Sequence, residues 1–147
     1  ILDVGTGAGF PGAVLAITDK TDYLTLLDST KKKLSFIEDS LTQLDISNFR
    51  VIHDRAEYLS KNKEHYQKYD YVVSRAVSAL PKLCALCMPF VNKGGYFIAM
   101  KGRKADFELA ESKQIIKNLG FILNERVSYT IGENNSDLEL MIFSRYN

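Results

Sequence analysis

Apolar and polar positions along this chain switch between the two periods that mark strands and helices. Ile1 to Val4 is a short apolar run that predicts a strand, and it meets a glycine loop, Gly5 to Gly9. Pro11 suits the first turn of a helix that Gly12 to Ile17 continue. Tyr23 to Leu27 predicts a second strand. Ser29 or Thr30 is placed to cap a helix over Lys31 to Leu44, where Leu34, Ile37, Leu41 and Leu44 recur at helical spacing. Strands are predicted at Phe49 to His53 and Tyr69 to Ser74, with a polar, solvated loop over Ser60 to Lys68 between them. A helix over Leu80 to Phe90 ends near Pro89 and Gly94-Gly95, and Tyr96 to Lys101 is a fifth strand. Asp106 to Leu119 is a helix stopped by Gly120. Phe121 to Thr130 and Leu138 to Ser144 form a closing hairpin around the turn chemistry of Glu133-Asn134-Asn135-Ser136.

Repeated alternation of strand and helix argues an α/β fold, a Rossmann-like, doubly wound and mostly parallel sheet covered on both faces. The expected order of its seven strands is 3-2-1-4-5-7-6, with strand seven alone antiparallel. A chain of 147 residues fits one domain, residues 1–147. The first residues already lie in a buried strand, so a further segment is expected ahead of Ile1.

Composition narrows the function less than the pattern does. The apolar share of 46% and charged share of 25% are those of an ordinary globular protein. A net charge of +1 means that any nucleic-acid surface is a local patch. No apolar run approaches the ~20 residues of a membrane span, and no signal peptide is evident, so a cytoplasmic protein with no membrane partner is expected. Cys84 and Cys87 stand three apart among leucines. They fit buried thiols in a reducing compartment better than a redox or metal pair, and no metal is expected.

The chemistry concentrates in Asp3-Val4-Gly5-Thr6-Gly7-Ala8-Gly9-Phe10-Pro11-Gly12. A glycine-rich turn between a strand and a helix lets backbone approach a ligand closely. The G-x-G-x-G spacing differs from the G-x-G-x-x-G of dinucleotide sites, and Asp3 would repel a pyrophosphate. An amino-acid-like ligand carrying an ammonium and a sulfonium would not be repelled. Asp28, at the end of the second strand, is placed to accept hydrogen bonds from ribose hydroxyls; capping the next helix is a partly compatible alternative. Asp54-Arg55-Ala56-Glu57 follows the third strand, where a nucleobase would lie. His53 and His65 are the only histidines and neither sits in a suggestive motif, so no general base is expected. Lys31-Lys32-Lys33 and Lys101-Gly102-Arg103-Lys104 are candidate phosphate contacts, with Lys101 favoured by its place at a strand's carboxyl end.

The glycine segment with Phe10-Pro11-Gly12, Leu27-Asp28-Ser29 with Lys31 to Lys33, and Ser74-Arg75-Ala76-Val77 together resemble the bacterial 16S ribosomal RNA methyltransferase G family, also called glucose-inhibited division protein B. Arg55-Ala56-Glu57, Gly94-Gly95 and Lys101-Gly102 fit the same pattern in the same order. The resemblance implies a class I S-adenosylmethionine-dependent methyltransferase that modifies N7 of a guanine in 16S rRNA, with the 30S subunit as partner and no DNA. The cofactor contacts it implies, joined to those read above, are Asp3, Gly5, Gly7, Gly9, Phe10, Asp28, Ala56, Glu57 and Arg75. The RNA contacts are Arg75, Lys101, Arg103 and Lys104. Guanine N7 offers a lone pair, so orientation of the reactants suffices without a catalytic base. The family carries a helical segment ahead of the glycine motif. It also tends to carry a basic residue near the start of the final strand, where this chain has Ser136-Asp137-Leu138-Glu139-Leu140. Two rival readings are a nicotinamide-dependent oxidoreductase and a non-catalytic RNA-binding module on the same fold.

Overall fold

Buried strands enclosed by amphipathic helices dictate the architecture. The computed structural model describes residues 1–18, 23–131 and 138–146. Its elements are β1 (Leu2–Val4), α1 (Gly12–Ile17), β2 (Leu24–Asp28), α2 (Lys31–Gln43), β3 (Phe49–His53), α3 (Ala56–Leu59) and β4 (Tyr69–Arg75). Then come α4 (Leu80–Cys87), a 3-10 turn (Met88–Phe90), β5 (Val91–Lys101), α5 (Ala105–Asn118), β6 (Phe121–Tyr129) and β7 (Leu138–Arg145). All seven strands join one sheet in the order β3-β2-β1-β4-β5-β7-β6. Pairing is parallel from β3 to β5, and β7 runs antiparallel to both β5 and β6. Order and direction are those the alternation predicts. Glu133 to Ser136, the expected hairpin turn, lies outside the described residues.

The pleat divides the core into two layers. Leu2, Val4 and Leu27 join Val72, Leu80, Leu83, Phe97 and Phe143 on the face covered by α4 and α5. Leu24 and Leu26 join Ala16, Ile37 and Leu41 on the other face, beneath α1 and α2. Successive strand residues point to opposite faces, so both faces of β2 must be apolar for it to lie inside the sheet. Among the described residues no helix is long and apolar enough to cross a membrane.

Four local expectations are corrected or refined. The predicted helix over Leu80 to Phe90 is α-helical only to Cys87, because the Pro89 ring cannot continue the ladder and Met88–Phe90 tighten into a 3-10 turn. The fifth strand starts at Val91 rather than Tyr96; a register shift between Tyr69 and Tyr71 absorbs Gly94, at φ +76°, and Gly95. Thr30, one of the two expected caps, occupies the N-cap of α2 but makes no side-chain bond there; its N–H donates to Asp28 Oδ1 at 2.8 Å. The Ser60 to Lys68 segment is turns, but His65 within it is buried. Its Nδ1 lies 2.7 Å from the Tyr69 hydroxyl, and burial followed by the Arg50 charge pulls its pKa below the ordinary value.

Candidate functional site

In a doubly wound sheet the chain leaves the central strands in opposite directions at one point, and a crevice opens beyond their carboxyl ends. Here that point lies between β1 and β4. A cleft of about 480 Å³ sits there. The glycine turn supplies Gly5, Thr6, Gly7, Ala8 and Phe10 to its wall; β2 ends in it with Asp28; the β3 loop supplies Asp54 to Glu57; and the segment after β4 supplies Arg75 to Ser78.

The glycines divide by task. Gly7 has φ +60°, and an added Cβ would meet only the Gly5 carbonyl at an ordinary contact distance of 3.8 Å, so packing does not crowd this position. Its N–H donates to Asp28 Oδ2 at 2.9 Å. The others are demanded by packing. A Cβ on Gly5 would stand 2.4 Å from Val77 Cγ2, and one on Gly12 would stand 2.3 Å from Leu26 Cδ2. Gly9 is pressed against Ala13 in the same way. The turn therefore lets three elements meet, and backbone approach to a ligand is a property of its crest.

Two expected cofactor contacts, Asp3 and Gly9, do not line the cleft. Asp3 is fully buried and faces α1, where its Oδ2 accepts from the Gly12 N–H at 2.8 Å. It ties the helix start to the strand. Burial raises its pKa from 3.8 to about 6, against the opposing pull of Thr6, the Gly12 N–H and the Arg75 charge. Asp3 Oδ1 and Thr6 Oγ1 are both buried without a partner in hydrogen-bond geometry. Asp28 does line the cleft but is not the cap of α2, whose N-cap position is held by Thr30. Its carboxylate holds the Gly7 and Thr30 N–H groups and keeps lone pairs for a ligand at the cleft wall.

Gly5, Phe10, Ala56, Glu57 and Arg75 all reach the same cleft. The Arg75 guanidinium lies 5.4 Å from the centroid of the half-exposed Phe10 ring, a cation–π contact across the cleft mouth. Ala56 and Glu57 open α3, so the first N–H groups of that turn have no helical acceptor.

The RNA candidates separate. Arg103 and Lys104 are exposed, and with Arg75 they line a second cavity beside the cleft. The expectation for Lys101 is corrected: its side chain is 9% exposed, bonded to Glu108 Oε2 at 2.6 Å and to the Ser78 carbonyl at 3.0 Å. Lys101 also lines the second cavity, but a phosphate would have to break that pair to reach its charge. Glu108 also accepts from the Leu80 N–H at 2.7 Å. One carboxylate on α5 thus fixes the start of α4 and, through Lys101, the segment after β4. Lys31, Lys32 and Lys33 are exposed, and Lys33 reaches the cleft wall. Near the final strand, Glu139 accepts from Arg126, which also pairs with Asp106.

The remaining candidates do not line the cleft. His53 Nε2 lies 3.1 Å from the Ser29 carbonyl. Cys84 and Cys87 are buried; desolvation pushes the Cys84 thiol up to about 12 and Cys87 well above its usual value, so both stay protonated. Sequence reasoning missed the roles of Val77, which packs on Gly5, and of Glu108. Val77 closes the Ser74-Arg75-Ala76-Val77 motif, but Glu108 carries no local signal.

The family model for rRNA small subunit methyltransferase G matches residues 1–136. The chain belongs to the rRNA small subunit methyltransferase G family. Family members of that name from Clostridium botulinum and Alkaliphilus oremlandii are 39% identical over 145 residues and 45% identical over 128 residues. Those alignments cover 99% and 87% of this chain but 61% and 54% of the relatives, so the chain spans about six-tenths of the length of the family members it matches. Solved structures extend the fold beyond the family. An rRNA methylase from Streptococcus thermophilus superposes with a TM-score of 0.68 at 17% identity, covering 99% of this chain and 86% of that one. M. jannaschii TYW2, in complex with AdoMet, gives 0.74 at 15% identity over 99% and 68%.

Proposed function

We propose that residues 1–147 form the catalytic domain of a cytoplasmic S-adenosylmethionine-dependent rRNA methyltransferase acting on a guanine N7 of 16S rRNA in the 30S subunit. One observation carries the reading. The crest of the glycine turn, Asp28 at the end of β2, Ala56-Glu57 at the start of α3 and Arg75 at the end of β4 converge on one cleft in a chain of this family.

The residues present fit the cofactor. Asp28 offers carboxylate lone pairs to ribose hydroxyls, and the leftover N–H groups and carboxylate at Ala56-Glu57 suit an adenine edge. Bound there, the cofactor supplies an electrophilic methyl on its sulfonium. A guanine N7 already carries a free lone pair, so the residues of this site would need to orient the two reactants and not to remove a proton. Arg75 spans the cleft and the second cavity, where it can hold both reactants in register.

Calorimetry tests this directly. The chain binds one S-adenosylmethionine and no NAD. Asp28→Ala weakens binding by tenfold or more, from loss of charge-assisted bonds of about 1.5–3 kcal/mol. Methylated-nucleoside mapping on 30S subunits then locates 7-methylguanine. Preference for NAD would favour the oxidoreductase reading, and binding of neither ligand would leave the RNA-binding module.

A further inference from the structure

Beside the cofactor cleft lies the second cavity, of about 440 Å³, which shares Arg75 and Ala76 with it. Met100, Tyr129, Ile131 and Leu138 give it apolar walls from the ends of β5, β6 and β7. Arg75, Arg103 and Lys104 stand exposed at its rim. Glu108, the one acid among its described lining residues, is already neutralised by Lys101.

We infer that this cavity seats a purine base extruded from RNA, stacked on the Tyr129 ring, with Arg103 and Lys104 on the flanking phosphates. The inference rests on the proposed methyltransferase reading and names the substrate site that goes with it. A base lifted from its stack needs an apolar or aromatic face for its ring, because water solvates that face poorly. Tyr129 and the aliphatic walls provide one. The phosphates on either side need cations that are not already spent. Lys101 fails that condition and the exposed rim residues meet it. At about 440 Å³ the cavity has the size of a pocket for one small ligand such as a nucleoside. Ala76, at the junction with the cleft, holds φ +55°, a conformation uncommon outside glycine, so the wall between the two spaces is a tight backbone turn. A base in the second cavity therefore shares the Arg75–Ala76 wall with the cofactor cleft.

The test uses the chain saturated with S-adenosylhomocysteine and a short unpaired RNA with one central guanine. Tyr129→Ala is expected to weaken RNA binding about fivefold or more, while Tyr129→Phe stays within about twofold, since stacking and not the hydroxyl is used. Ile131→Glu, on a side chain 65% exposed and therefore safe for folding, weakens it as well. S-adenosylhomocysteine affinity is unchanged in all three variants, which shows each is folded. RNA affinity indifferent to Tyr129→Ala overturns the proposal. So does equal affinity for an RNA whose central base has been removed, which would leave a phosphate-binding rim alone. If RNA binds in this Tyr129-dependent way but S-adenosylhomocysteine does not bind, the base site stands and the methyltransferase reading falls.

Discussion

Asp3 stands two residues before Gly5 in the chain, yet the pleat turns it away from the cleft. Leu2 and Val4 face the α4–α5 layer, so period-two alternation sends Asp3 to the α1 side, where it binds Gly12. Its pKa, raised from 3.8 to about 6, makes the folded state hold a proton that the unfolded chain releases earlier. The sign follows: stability from this group is full below about pH 3.8 and is lost as pH rises through about 6. The charged carboxylate then costs about 2–3 kcal/mol at neutral pH. Asp3→Asn keeps an oxygen for the Gly12 N–H and removes the charge. Urea unfolding should show the variant more stable than the parent at pH 7, with the difference shrinking toward pH 4; equal slopes against pH would mean that Asp3 titrates normally. The sequence marks Asp28 more clearly than Asp3. A carboxylate at the end of a central parallel strand has one edge to face, whereas an acid inside the strand can face either layer.

At the scale of elements, the Lys101–Glu108 pair locks α5, α4 and the segment after β4 together. Side chains 9% and 14% exposed lie too deep for water to repair a broken pair. Lys101→Met alone should therefore lose about 3–5 kcal/mol of stability. The Lys101→Met, Glu108→Gln double variant should lose much less than the two single losses together. The glutamine amide oxygen can still accept from the Leu80 N–H, and no buried charge is left alone. Chemical denaturation of the parent, both single variants and the double variant measures the coupling, and simple additivity would show that the pair is not a unit. The elements themselves were legible because apolar spacing fixes strands and helices, and their alternation fixes the sheet order. This pairing was not. Lys101 sits where ligands usually bind, and Glu108 lies seven residues on, past the Gly102–Lys104 turn, so only the docked α5 brings the two together. The extended start of β5 was hidden for a related reason: Gly94-Gly95 reads as a break until the bulge opposite Asp70 accommodates it.

Across the whole molecule, a net charge of +1 cannot draw RNA by itself, so the proposed RNA affinity has to come from cations placed where the strand passes. Position in the sequence puts Lys101, Arg103 and Lys104 in one basic run, but the fold assigns them to different uses. Arg103 and Lys104 face solvent at the rim of the second cavity, while the charge of Lys101 is consumed by Glu108. Each cation that meets a phosphate releases counterions, and the salt dependence of binding counts those encounters. Replacing Arg103 and Lys104 together with Gln should weaken rRNA binding and reduce the slope of log affinity against log salt by about 0.7–0.9 for each phosphate no longer neutralised. The Lys101→Met, Glu108→Gln double variant leaves net charge unchanged and should leave that slope unchanged too. Affinity for 16S rRNA measured over a series of salt concentrations separates the outcomes. A slope that falls in the Lys101 variant and stays constant in the rim variant would place the phosphate path over β5 itself. It would also require the buried pair to open when RNA binds.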